Sequence, residues 1–398
     1  MFAIFDHNPR ARILFGNGAL DRLGEVATDL GAKRVLVVTD PGIVAAGHAK
    51  RAVQLLEKAG MSVSVFDRVR ENPTTACVES CLEVARQSAV EAIVGIGGGS
   101  SMDTAKGCNF VLTNGGRMED YWGVGKATKP MLPLIAIPTT AGTGSECQSF
   151  ALIAKNDTRQ KMACGDPKAA ARVAILDPQL TVSQPRRVTA CTGIDAIAHA
   201  METAVTQKRN LLSDMFAREA FKLCSTNFAA VLRNPSDLET RGRMLFGAAL
   251  AGLAIENSML GAAHAAANPL TAHFDIVHGQ AVGMMLPFIV RFNSADAAAR
   301  RAYAELASAP EIACVSDGLD HAVEALILRV HSLLDAAGMP RSLAECGVKK
   351  ELIPVMARES VKQWTASFNP RPVSVEDFER LYEQAWEGRG EGDGLHAG

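Results

Sequence analysis

Neither sign of charge dominates this chain of 398 residues: Lys and Arg number 41, Asp and Glu 43, for a formal net charge of −2. So balanced a surface offers no electrostatic footprint for nucleic acid or an acidic membrane. The nine cysteines are odd in number and scattered, and no CxxC pair occurs among them. A disulfide-stapled fold is the wrong expectation at this length, so reduced, mostly buried thiols are expected. A membrane-crossing run of about 20 apolar residues is also missing. The apolar stretch Met244–Ile255 is bounded by Arg243 and Glu256 and reads as a buried core helix. The start, MFAIFDHNPRARILFG, shows no apolar segment behind a basic one, so no secretory signal is expected and a cytoplasmic location is. There is no internal repeat, and the GxGxxG dinucleotide fingerprint is absent.

What remains is ordinary globular material, 48% hydrophobic and 21% charged, long enough for roughly two domains. In the first half, β-branched runs at Val35–Thr39, Val63–Phe66, Ala92–Ile96 and Leu134–Ile137 alternate with helical stretches such as His48–Gly60 and Val78–Ser88. Strands alternating with helices predict an α/β domain with a parallel sheet, binding ligands at the carboxyl ends of its strands. After the turn-rich "DPQLTVSQP" the pattern is helical with no convincing strand. The expected division is therefore residues 1–185, α/β, and 186–398, all-α, with a Gly-rich tail from about Gly388 that lacks order.

Two strand ends carry small and hydroxylated residues. "AIVGIGGGSSMDTAKG" leads a buried strand into Gly97, Gly98 and Gly99, then Ser100, Ser101 and a helix. Such a turn lets backbone approach a phosphate, and the helix start supplies free N–H groups and a positive dipole end. The bland alternative is a tight turn capped by serine. "LIAIPTTAGTGSE" places Thr139, Thr140, Thr143 and Ser145 after a second strand, where they could line the same crevice. The first strand ends in Asp40, where a carboxylate would accept from a ribose hydroxyl and repel a 2′-phosphate; as a turn residue before Pro41 it needs no such role.

In "CTGIDAIAHAMET", Asp195 and His199 are four apart and project from one helix face. Alone, such a pair is more often a surface hydrogen bond or a satisfied core polar pair than a ligand set. His264 in "LGAAHAAANPL" lies among small apolar residues, where an unpaired imidazole is costly to bury. His278 in "DIVHGQAVGMMLP" precedes a new helix. Three imidazoles and one carboxylate suit Fe²⁺ or Zn²⁺ without choosing between them.

Taken in order, "GGGSSMDTAK", "PTTAGTGSE", "GIDAIAHAMET" and "GAAHAAANPL…VHG" resemble the iron-containing (group III) alcohol dehydrogenases, which share a fold with dehydroquinate synthase and glycerol dehydrogenase. The resemblance runs from about Phe15 to Arg371. It implies NAD, a metal ion in a cleft between the two domains, and a small alcohol or aldehyde as substrate. A homodimer or higher homo-oligomer is expected. The family's ligands fall on Asp195, His199, His264 and His278; its phosphate turn on Gly97–Ser101; its threonines on Thr139 and Thr140; its NAD-selecting acid on Asp40. Asn72, Asp103 and Lys161 fall where members contact the cofactor or shape its pocket.

One position departs from the pattern. Members carry a second histidine four residues after the third ligand, and here it is Asn268, which cannot titrate near neutral pH. His273, expected in the loop before His278, is either a substitute proton relay or an exposed loop residue. The reaction expected is ion-assisted loss of the alcohol proton, with hydride passing between the carbinol carbon and nicotinamide C4. A maleylacetate-reductase-like enzyme, a dehydroquinate-synthase-like lyase and a silent nucleotide-binding homologue are the competing readings. Phe150, Met259, Phe274 and Trp364 are apolar residues near the motifs, and the lack of clustered arginines disfavours phosphorylated substrates.

Overall fold

The computed structural model describes residues 5–388, so the tail beyond Gly388 lies outside the described residues. The chain divides into two compact units: Asp6–Pro185 with Pro235–Gly252, and Arg186–Asn234 with Leu253 onward.

The first unit is built on a six-stranded, all-parallel sheet. Its strands are β1 (Arg12–Phe15), β2 (Arg34–Val38), β3 (Ser62–Phe66), β4 (Ala92–Gly97), β6 (Leu134–Pro138) and β9 (Val173–Leu176), in the order β1-β9-β6-β4-β2-β3. Helices α1 (Leu23–Asp29), α2 (Pro41–Ala45), α3 (His48–Lys58), α4 (Thr75–Gln87) and α5 (Gly99–Asn114) connect them. Alternation of side chains along each strand splits the core in two. Leu36, Val38, Ile93, Leu134 and Ala136 pack on one face, and Val35, Val37, Ala92, Val94, Ile135 and Ile137 on the other. Strands buried on both faces give the unbroken apolar runs seen in the sequence.

A second, small sheet consists of β5 (Gly123–Val124), β7 (Phe150–Ala154) and β8 (Lys161–Gly165), in the order β5-β8-β7, with β7 and β8 antiparallel. It escapes the sequence reading because "FALIA" and "KMACG" are rich in alanine, methionine and cysteine, which have little strand preference.

The second unit is helical: α6 (Arg186–Thr203), α7 (Leu211–Arg233), the end of α8 (Leu238–Asn257), α9 (Ala262–Phe274), α10 (His278–Asn293), α11 (Ala297–Ser308), α12 (Leu319–Ala337), α13 (Ile353–Ser360) and α14 (Val375–Glu387). The run Met244–Ile255 does lie in a helix, but α8 extends past both flanking charges. Helix α6 is buried on nearly every side, from Thr189 to Thr203, which is why its sequence shows no polar face. None of the nine cysteines forms a disulfide, and six of them are buried.

Candidate functional site

Three helices of the second unit bring four side chains together. Asp195 and His199 come from α6, His264 from the first turn of α9, and His278 opens α10. Asp195 Oδ1 lies 3.5 Å from His199 Nε2, 3.4 Å from His264 Nε2 and 4.0 Å from His278 Nε2. The rings of His199 and His264 stack with centroids 4.8 Å apart, and those of His264 and His278 stand 5.3 Å apart. Asp195, His199 and His264 are buried, whereas the His278 side chain keeps 25% exposure.

This cluster fits a divalent ion. Asp195 Oδ1 and His264 Nε2 are buried and have no hydrogen-bond partner, a costly state unless something else satisfies them. Ligand bonds of about 2.1 Å in a tetrahedral shell imply ligand atoms about 3.4 Å apart, close to the spacing observed. Burial alone would raise the Asp195 carboxyl, but His199, His264 and His278 together hold it well below the usual carboxylate range. For His264, burial works to lower the pKa, while Glu202 and Asp195 raise it to about 9.

The start of α9 explains how His264 is aimed. Glu202, one helical turn beyond His199 on α6, accepts from the Ala263 N–H through Oε1 (2.7 Å) and meets His264 Nδ1 through Oε2. Asn369 Oδ1 accepts from the Ala262 N–H at 3.2 Å. Two N–H groups that a helix leaves unsatisfied at its start are thus met by buried side chains, in place of an ordinary cap. With Nδ1–H engaged by Glu202, Nε2 is the nitrogen that faces Asp195. Asn369 is itself fixed by Asn293 Oδ1 (2.7 Å) and Arg371 O (2.7 Å).

Close helix packing delivers His278. A Cβ at Gly279 would lie 2.0 Å from Cys191 O and 3.2 Å from the Asp195 Cβ, and one at Gly283 would lie 2.5 Å from Ile194 Cγ2. Only glycine lets α10 rest this closely on α6.

Asn268 and His273 part company on α9. Asn268 follows His264 by four residues and shares its face, and Asn268 Nδ2 donates to Gln363 Oε1 at 3.0 Å. His273 lies not in a loop but in the last turn of α9, where its Nε2 contacts Glu359 Oε2 at 2.8 Å. Nine residues after His264, it is about 13.5 Å further along the axis and rotated by about 180°. That placement argues against a direct relay from the ion.

In the first unit, the predicted turn joins β4 to α5. Gly97 has φ +147°, and a Cβ there would lie 2.5 Å from Ser101 Oγ. The N-cap of α5 is Gly98, with no side chain bonded to the first-turn N–H groups; the serine-capped turn is therefore not what forms. Thr140 and Thr143 pack directly on Gly98 and Gly99, and the Thr139 N–H donates to Gly97 O at 2.9 Å. Asp40 caps α2, accepting from Gly42 N (2.9 Å) and Ile43 N (3.1 Å), while its other oxygen accepts from Ser101 Oγ at 3.3 Å. It is at once a turn residue and part of the glycine-rich site.

Asp103 and Ser145, both singled out in the sequence, belong to a buried polar cluster with Lys106 and Glu146, which were not. Lys106 Nζ donates to Ser145 O (2.7 Å), Ser145 Oγ (2.9 Å) and Phe150 O (2.9 Å), and Ser145 Oγ donates to Asp103 Oδ1 at 2.8 Å. Burial raises the Asp103 carboxyl, opposed by Lys106 and the Ser145 hydroxyl. Burial pushes Glu146 up to about 7 against its own backbone N–H and the attraction of Lys106. Asn72 takes a left-handed conformation with φ 52°, and Lys161 begins β8. Phe150 is packed over Gly165, whereas Trp364 meets Phe368 edge-on at 5.9 Å. The missed residues did leave traces: Glu202 is seven after Asp195 and Lys106 three after Asp103, each spacing keeping one helix face.

Residues 9–178 match the family model described as iron-containing alcohol dehydrogenase, and residues 189–386 match that of the family's C-terminal part. An NAD-dependent methanol dehydrogenase of Bacillus methanolicus is 33% identical over 377 residues, covering 95% of this chain and 98% of the relative. The solved structure of a 1,3-propanediol oxidoreductase superposes with a TM-score of 0.93 at 32% identity, covering 96% of this chain and 100% of the other. A sulfoacetaldehyde reductase from Bifidobacterium kashiwanohense, solved with NAD⁺, gives a TM-score of 0.86 at 29% identity, with 96% and 99% covered.

Proposed function

The chain belongs to the iron-containing alcohol dehydrogenase family, and from that membership we propose how its residues divide the work of an NAD(H)-linked, metal-dependent alcohol dehydrogenase or aldehyde reductase. Asp195, His199, His264 and His278 hold the divalent ion, and the metal-binding unit is residues 186–234 with those from 253 on, the expected 186–398 division being broken by Pro235–Gly252, which packs with the first unit. Residues 1–185 hold the nucleotide. When bound, the ion polarises the substrate oxygen as a Lewis acid and the nicotinamide exchanges the hydride.

Everything else falls to the chain. Glu202 fixes the tautomer and direction of His264. The backbone of Gly97–Ser101 and the start of α5 receive the pyrophosphate. Thr139, Thr140 and Thr143 offer hydroxyls and backbone beside it, Asp40 takes the adenosine ribose, and Asn72, Asp103 and Lys161 complete the pocket. Asn268 cannot titrate and His273 lies on the far face of α9, so the proton leaves through solvent or the cofactor ribose.

The observation that carries this reading is the pairing of two buried, unsatisfied ligand atoms, Asp195 Oδ1 and His264 Nε2, within a four-residue cluster of ion-holding dimensions. Elemental analysis of wild type and His264→Ala tests it. Metal in the wild type and not in the variant is expected, and equal content in both would sink the assignment. A panel of alcohols and aldehydes with NAD(H) and NADP(H), on protein reconstituted separately with Fe²⁺ and Zn²⁺, tests the activity. No single helix among the described residues is long and apolar enough to cross a membrane. The reading includes a cytoplasmic homodimer or higher homo-oligomer, which light scattering and fractionation would check.

A further inference from the structure

We propose that Ser101 tempers the cofactor preference of this chain: by donating to Asp40, its hydroxyl occupies an acceptor site that a ribose would use and softens the charge that a 2′-phosphate would meet. The proposal rests on the NAD(H) reading above, with Asp40 at the adenosine ribose, and names a second residue that sets the selectivity of that site.

The hydrogen bonds of Asp40 lead there. Oδ1 accepts from Gly42 N at 2.9 Å and Ile43 N at 3.1 Å, and Oδ2 accepts from Ser101 Oγ at 3.3 Å. A carboxylate offers about four lone-pair sites on its two oxygens. Oδ1 is therefore filled, and Oδ2 has one site left. A ribose carries two neighbouring hydroxyls able to donate, and Asp40 as it stands can receive one of them.

The fold fixes Ser101 in this role. It is the third residue of α5 and is fully buried. A serine so near a helix start ordinarily bonds the backbone of its own helix, yet this hydroxyl crosses to a residue 61 positions earlier. Gly97 makes room for the contact. A Cβ there would lie 2.5 Å from Ser101 Oγ and 3.1 Å from Asp40 Oδ2, so any side chain would part the two.

Two effects follow, and they have one sign. Without the Ser101 hydroxyl, Oδ2 gains a site for the second ribose hydroxyl. It also loses a donor that partly offsets its charge, so it repels a 2′-phosphate more strongly. Removing the hydroxyl should sharpen the preference for NAD(H).

Calorimetric titration of NAD⁺ and NADP⁺ into metal-loaded protein tests this without turnover. In Ser101→Ala the ratio of the NADP⁺ Kd to the NAD⁺ Kd should rise about three- to tenfold, the span of one net hydrogen bond, with NAD⁺ bound more tightly than by wild type. A residue that merely supported the fold would weaken both dinucleotides instead. Adding Ser101→Ala to Asp40→Asn should leave the ratio where Asp40→Asn sets it, because the acid through which Ser101 acts is gone. Should Ser101→Ala not fold, Ser101→Gly removes the same hydroxyl. An unaltered ratio would overturn the proposal and leave the NAD(H) reading standing, as would an equal weakening of both dinucleotides, which would assign the hydroxyl to the pyrophosphate. Two results would overturn that reading as well: a wild type that binds neither dinucleotide, or an Asp40→Asn ratio equal to that of wild type.

Discussion

Glu202 engages His264 and its helix together: Oε2 meets the imidazole at Nδ1 while Oε1 accepts the N–H of the preceding Ala263 at 2.7 Å. One buried carboxylate from α6 therefore sets both where α9 begins and which nitrogen of its ligand faces Asp195. Replacing Glu202 by Gln keeps the shape and removes the charge. We expect metal affinity to fall by about 10–100-fold, the usual cost of losing a ligand's supporting partner. Competition with a chelator measures it, and an unchanged affinity would show that Glu202 only fills space.

Gly279→Ala should damage the metal centre without touching a ligand. The added methyl would lie 2.0 Å from Cys191 O, so α10 must move off α6 and take His278 with it. A destabilisation of about 1–3 kcal/mol is expected, together with weaker metal binding. Denaturant midpoints and metal content, read on one preparation, separate this from a purely local adjustment.

Asp40 tests cofactor choice. Removing its side chain would also remove the cap of α2, because Asp40 Oδ1 accepts from Gly42 N and Ile43 N. Asp40→Asn keeps a capping oxygen, since asparagine and aspartate cap about equally well, and discards the charge. The preference for NAD(H) over NADP(H) should narrow with little change in stability. A wild type that uses NADP(H) equally well would remove the role given to this acid.

Glu146 should make folding stability depend on pH. Burial raises its carboxyl from 4.5 to about 7, so folding favours the protonated form. Its contribution is complete below about pH 4.5 and is lost as pH rises through about 7, by about 3 kcal/mol at most. Glu146→Gln should therefore lose stability less steeply than wild type between about pH 5 and pH 8. Parallel slopes in urea titrations would contradict this.

His273→Gln should leave the pH–rate profile as it is, because His273 is turned away from the His264 face and occupied by Glu359 at 2.8 Å. A loss of about tenfold or more, with one ionisation missing, would restore it as the proton relay.

The sequence determined what short-range chemistry writes directly. The four long β-branched runs are strands within a residue or so of their expected limits, because a strand buried on both faces must be apolar throughout. Asp195 with His199, and the glycine turn at Gly97, are legible because their spacing within one element already fixes geometry. The second sheet was not legible, since its short strands, with three alanines among the ten residues of FALIA and KMACG, exist only through pairing with each other. Nor could spacing show that Glu202 and Asn369 cap α9 or that Lys106 binds Ser145, which stands 39 residues away. Tertiary packing alone decided the fate of Asn268 and His273. Both are polar residues on one helix, and only helix phase and the opposing Gln363 and Glu359 separate a side chain presented beside the ligand cluster from one facing away.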